Sequence, residues 1–197
     1  MAIEIRPVSP RRLLKVAALT AALTAAAALP CAAAPFDQNL DEGTIKLRVQ
    51  AANTPGKNSI IITAKGLESG DERITVSSEN QVSRAFLEHL DGDNVPELFV
   101  VLTSYGSGSY GEVLAWSTNG KKGLTPIIIE APSPKDLDGY MGHDDYEVME
   151  NTFVRRFPVY KKGDMNASPS GGFRQFQYKL KPGEATWQMK IDRVESY

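Results

Sequence analysis

The sequence predicts an all-β protein, an antiparallel β-sandwich or barrel-like sandwich, and three observations lead there. Short segments alternate apolar and polar residues with period two, the mark of a strand with one wet face. Other short segments are continuously apolar, as strands buried on both faces are. Between them lie clusters of Gly, Pro, Asn and Asp, while no window after the N-terminal segment carries a sustained helical stripe.

The elements follow in chain order. IKLRV (Ile45–Val49) alternates, and TPGKN supplies the turn before the apolar run SIIIT (Ser59–Thr63). ESGDE turns the chain into RITVS (Arg73–Ser77), which alternates again. RAFLEHL (Arg84–Leu90) has the spacing of a helical turn, but strands on either side favour extended structure. DGDNVP then leads into ELFVVL (Glu97–Leu102), and YGSGSYG separates that run from EVLAW. TNGKKG precedes the apolar PIIIE (Pro126–Glu130), and the longest irregular stretch is Ala131–Tyr146. FVRRFPVYKKGD (Phe153–Asp164) places Phe153, Arg155 and Phe157 on one side and Val154 and Arg156 on the other. A strand with a solvated basic face is expected there in preference to an anion site. FRQFQYKL (Phe173–Leu180), the turn KPGE and WQMKI (Trp187–Ile191) complete the pattern.

The N-terminus has a different character. Arg6, Arg11, Arg12 and Lys15 precede an alanine- and leucine-rich run, Val16–Leu29, followed by PCAAAP. A basic segment, a short apolar segment and small residues make a secretory signal peptide, expected over 1–34 with cleavage near Ala33 or Ala34. The apolar run is too short to span a bilayer. Arg11-Arg12 alone is a weak twin-arginine signal, and Pro30 before Cys31 departs from a lipid-attachment site. The expected mature chain, 35–197, is one exported domain with no cysteine, so it relies on its core and not on disulfides.

Loss of 1–34 lowers Lys+Arg from 22 to 18 and Asp+Glu from 24 to 23, a formal charge of about −5. A mildly acidic domain suits a cationic partner and argues against nucleic acid, and after signal removal no membrane segment is expected. A homodimer is compatible with this composition.

Chemistry-bearing groups are sparse. In LDGDNVPEL, Asp91, Asp93, Asn94 and Glu97 offer oxygen ligands of the kind calcium takes, without the complete EF-hand pattern. An Asp-Gly turn delivering the chain into ELFVVL is the expected reading, and a calcium-dependent carbohydrate- or surface-binding module the alternative. With only two histidines, His89 and His143, a hydrolase would have to use His143 with Asp144 or Asp145. No G-x-S-x-G nucleophile elbow stands in a strand–turn–helix setting, and zinc would want more His or Cys. The protein is expected not to be an enzyme and to need no cofactor.

YGSGSYG, Tyr105–Gly111, stands apart. Its glycines suit a tight reversal, while Ser, Gly and Tyr together are also the vocabulary of binding loops. Composition leaves bend and binding surface evenly balanced.

A longer pattern bears on that balance. DGDNVPELFVVLTSYGSGSYGEVLAWS, then GYMGHDDYEVMENTFVRRFPVYKKGDMNASPSGGFRQFQYKL and GEATWQMKIDR, resembles the periplasmic inhibitors of invertebrate-type (i-type) lysozyme over about Arg84 to Arg193. The resemblance implies an exported β protein of Gram-negative bacteria that blocks host lysozyme. Ser107-Gly108-Ser109-Tyr110 matches the Ser-Gly-x-Tyr element that such inhibitors insert into the enzyme's cleft. It implies that Ser107 and Tyr110 hydrogen-bond the catalytic carboxylates and that Gly108 admits close approach, with Tyr105, Gly106 and Ser109 as flanking contacts.

Overall fold

In the computed structural model, residues 33–90, 92 and 95–197 are described, and they form one compact all-β unit. The signal segment expected over 1–34 falls outside them apart from Ala33 and Ala34. Three sheets, antiparallel in all but one pairing, pack as a sandwich.

The first sheet is a meander of β1 (Phe36–Glu42), β2 (Ile45–Ala51), β3 (Asn58–Leu67) and β4 (Gly70–Ser78). The second is β5 (Gln81–Glu88), β6 (Glu97–Thr103), β7 (Gly111–Ser117) and the short β8 (Thr125–Pro126). The third has the order β10 (Asp145–Met149), β11 (Thr152–Pro158), β12 (Phe173–Pro182), β13 (Trp187–Ser196) and β9 (Ile128–Ile129). Strand β9 runs parallel to β13. A single 3₁₀ turn, Pro134–Leu137, capped by Ser133, interrupts the connection from β9 to β10.

β6 explains the layering. Leu98, Val100 and Leu102 point into an aliphatic core with Ile45, Leu47, Ile60 and Ile62 of the first sheet. Phe99 and Val101 point the other way, into a core with Phe153, Phe157, Phe176 and Tyr178 of the third. Successive side chains of a strand leave opposite faces, so only a continuously apolar strand can serve two cores. ELFVVL is that strand, buried along its whole length.

The other apolar runs behave differently. In SIIIT, Ile60 and Ile62 are buried while Ser59 is exposed and Ile61 half-buried, because β3 has only one covered face. In PIIIE only Ile127 is fully buried, and Ile128 faces solvent beside β13. Of the two settings such runs suit, burial on both sides or a place at a sandwich centre, neither run has the first. RAFLEHL is extended through Glu88 in β5, as the flanking strands required. The expected solvated basic face of FVRRF is also corrected: Arg155 lies on the Phe153–Phe157 side and is drawn inward with them.

Candidate functional site

The stretch 104–110 connects β6 to β7, whose register ends at Thr103 opposite Gly111. The Ser104 backbone N–H donates to the Tyr110 carbonyl at 2.8 Å, and the Tyr110 N–H donates to Ser104 Oγ at 2.8 Å. These bonds close the hairpin and leave residues 105–109 as its projecting tip. Gly106 has φ +111°, and Ser109 occupies the left-handed region at φ 45°, where a serine is uncommon. A residue held there needs fixing by its surroundings.

Two arms from the β9–β10 and β11–β12 connections provide the fixing. On one side the Asn166 side-chain amide donates to the Ser107 carbonyl at 2.7 Å. The Asn166 Oδ1 lies 3.2 Å from His143 Nε2, and the Asn166 carbonyl accepts from the Tyr160 hydroxyl. On the other side the His143 backbone N–H lies within bonding distance of both the Gly108 and Ser109 carbonyls, at 2.9 and 3.2 Å. Gly142, φ +89°, brings the arm so close that a Cβ there would stand 1.9 Å from the Gly108 carbonyl oxygen. No other residue fits without moving the loop backbone.

The base of the loop is held by a buried carboxylate. The Asp144 side chain is 0% exposed and accepts three hydrogen bonds, from the Gly111 N–H at 2.7 Å, the Tyr140 hydroxyl at 2.5 Å and Arg155 Nε at 2.7 Å. Arg155 is itself only 14% exposed, and its guanidinium lies over the Tyr140 ring, 5.1 Å from the centroid. Burial alone would lower the Arg155 pKa, but Asp144 together with the neighbouring Tyr146 and Tyr140 raises it and keeps the guanidinium charged. Burial first, then Asp144, pushes the Tyr140 hydroxyl up, so it stays a neutral donor. Tyr140 in turn meets the Tyr110 ring edge-on, with centroids 5.5 Å apart at 82°. A chain of contacts thus runs from Asp144 through Tyr140 to Tyr110.

The loop's side chains are less engaged than its backbone. Ser107 is exposed, Tyr110 is 46% exposed, and neither hydroxyl has a hydrogen-bond partner among the described residues. Ser109 is half-buried and Gly106 exposed. Tyr105 is half-buried, and its hydroxyl, without a hydrogen-bond partner among the described residues, is shielded from solvent, and that burial raises its pKa. Gly108 has a reason from within the chain for lacking a side chain: a Cβ there would stand 2.6 Å from Tyr110 Cε2. The glycine makes room for the tyrosine two residues on.

The other candidate groups come out as follows. Glu97 is fully buried, and its Oε2 accepts the Leu90 N–H across the turn. Asp91, Asp93 and Asn94 lie outside the described residues, and among those described no cluster of three His, Cys, Asp or Glu side chains could hold a metal ion. His143, Asp144 and Asp145 do not converge: His143 meets Asn166, Asp144 is occupied by its three donors, and Asp145 pairs with Arg156 at the surface. Sequence reasoning missed Asn166, Tyr140 and Arg155 as loop supports. Asn166 lies 59 residues from Ser107, and nothing in local spacing reports such a contact.

Comparison of the chain with models of known protein families gives no match, and comparison with characterised proteins gives none either.

Proposed function

We propose that this protein is an exported, periplasmic, non-catalytic inhibitor of i-type lysozyme that inserts the loop Ser107-Gly108-Ser109-Tyr110 into the enzyme's active-site cleft. The observation that carries this reading is the division of labour within the loop. Its backbone is tied down by Asn166, His143 and Asp144, while the Ser107 and Tyr110 hydroxyls, on exposed side chains, have no hydrogen-bond partner among the described residues. The sequence resemblance assigns binding to these same two side chains.

The chemistry fits the target. A glycosidase cleft holds two carboxyl groups, one of them protonated at working pH. A hydroxyl donates to the ionised carboxylate and accepts from the protonated one, so Ser107 and Tyr110 can satisfy either state. Neutral hydroxyls also avoid burying a further charge beside the pair. A loop already fixed in its bound shape loses little entropy on docking, which favours affinity. The net negative charge of the domain suits a cationic enzyme.

The test is titration of the purified mature protein into lysozymes of the invertebrate, chicken and goose types. Stoichiometric inhibition of the invertebrate type is expected, and its absence against all three would end the proposal. Ser107→Ala and Tyr110→Ala are each expected to weaken inhibition by about 1–4 kcal/mol, the range of interface hot spots. Because Ser107 is exposed, thermal stability should hardly change in Ser107→Ala, while Tyr110→Ala also loses the edge-on contact with Tyr140, worth about 0.5–1.5 kcal/mol.

A further inference from the structure

Two exposed methionines stand on the arms that hold the loop. Met141 precedes Gly142, the residue pressed against the Gly108 carbonyl and 3.3 Å from the Tyr110 nitrogen at its Cβ position. Met165 precedes Asn166, whose amide holds the Ser107 carbonyl. Met141 is 41% exposed and Met165 72%. Of the eight large hydrophobic side chains exposed among the described residues, three therefore belong to this one region: Tyr110, Met141 and Met165.

We infer that Met141 and Met165 form an apolar rim around the two free hydroxyls and are direct contact residues for the partner. The inference rests on the inhibitor reading above and extends it from the loop to the arms. The proposed surface has a polar centre, Ser107 and Tyr110, and exposed thioethers on the two arms that hold it. It matches a cleft whose floor carries carboxyl groups and whose walls present flat apolar faces, as a site that stacks on sugar rings does. Methionine suits such a rim because its unbranched, polarisable side chain adapts to an irregular wall and makes favourable contacts with aromatic edges. It is also enriched at interface cores, where charged side chains are depleted.

The remaining methionines of the described residues give built-in controls. Met149 is 56% exposed but sits at the end of β10 away from Asp145, across four residues of extended strand. Met189 is fully buried in the aromatic core. Dilute hydrogen peroxide transfers one oxygen to a thioether sulfur, which is oxidised by two electrons while the peroxide is reduced to water, and the sulfoxide is read by mass spectrometry.

The experiment compares sulfoxide formation in the free protein and in its complex with i-type lysozyme. In the free protein Met141, Met149 and Met165 should oxidise readily and Met189 should not. In the complex, oxidation at Met141 and Met165 is expected to slow by about tenfold, as access to the sulfur is lost, while Met149 keeps its free rate. The variant Met141→Gln/Met165→Gln is expected to raise the inhibition constant by about tenfold. If inhibition is stoichiometric but both methionines oxidise as fast as Met149, the rim is rejected and the loop reading stands. If no lysozyme is inhibited, the loop reading and the rim fall together.

Discussion

The two faces of β6 look into two differently built cores. On one side Leu98, Val100 and Leu102 meet isoleucines, leucines and valines, with Trp116 the one aromatic among the fully buried residues of that cluster. On the other, Phe99 stacks between Phe86 and Phe153 at 5.3 and 5.0 Å, and the cluster continues through Tyr146, Phe157, Phe176 and Tyr178. The ion pairs differ in one respect. Among the described residues those of the first sheet, Lys46–Asp41, Arg48–Asp37 and Lys65–Asp71, are half-exposed or more and bridge neighbouring strands at the surface. The third layer has surface pairs as well, Arg156–Asp145 and Arg193–Glu195, but it adds Arg155–Asp144, which is buried against the aromatic rings and carries the base of the candidate loop. An aliphatic core can be packed by shape alone, whereas tyrosines bring hydroxyls that need partners, and those partners here support a site.

The largest effect should come from cutting β6 on either face. Phe99→Ala is expected to cost about 3–5 kcal/mol and Leu98→Ala about 2–5, both being fully buried. Trp116 packs in the aliphatic core and Trp187 against the aromatic one, so Trp187→Phe and Trp116→Phe backgrounds allow each half to be followed by fluorescence. Because one strand serves both cores, each substitution should shift the two signals together. Two separated denaturation transitions would show that the cores are independent units and break the comparison at its root.

Next in size is the buried ion pair. Asp144→Ala leaves Arg155 charged and unpaired in the aromatic layer and strips the Gly111 N–H and Tyr140 hydroxyl of their acceptor. Removing one partner of a buried pair costs about 3–5 kcal/mol, discounted here towards the lower end because Arg155 keeps some solvent contact. Asp41→Ala, on the first sheet, should change stability by no more than about 0.5 kcal/mol, since its pair with Lys46 is exposed. Chemical denaturation of both variants measures the contrast. Equal losses would mean that the two pairs do not differ in kind.

How far all this was legible in the sequence follows from the range of the contacts. Period-two alternation and turn residues marked most strands, because each is a property of a few adjacent side chains. Two-sided burial was legible only in ELFVVL. SIIIT and PIIIE carry the same apolar signature, yet whether a second layer covers a strand is decided by the rest of the fold. FDQNLDE of β1 alternates weakly and carried no clear signal, its pairing with β2 being what makes it a strand. For the loop, composition marked YGSGSYG as unusual. The residues that fix it, His143, Asp144 and Asn166, enter from connections more than 30 residues away. Arg155 looked like part of a wet basic face because alternation says which residues share a side, but not which side is covered.

The smallest effect in ordinary buffer, and the most specific to the aromatic half, is alkaline sensitivity. Burial pushes the Tyr178 hydroxyl up to about 12, and burial likewise raises Tyr140 and Tyr146. A free tyrosine titrates near pH 10, so between about pH 10 and 12 the folded protein keeps protons that the unfolded chain releases. The unfolded state then binds fewer protons, and stability falls as pH rises. The contribution is therefore whole below about pH 10 and is lost as pH climbs towards the folded values. Among the described residues no tyrosine belongs to the aliphatic core, so that half makes no such contribution. Melting temperature followed from pH 8 to 12 should stay level at first and drop above about pH 10. Tyr178→Phe should flatten that drop, since the ring remains and the proton does not. An unchanged drop in this variant would remove Tyr178 as its source, and a level profile to pH 12 would show that the buried hydroxyls do not set the alkaline limit of the fold.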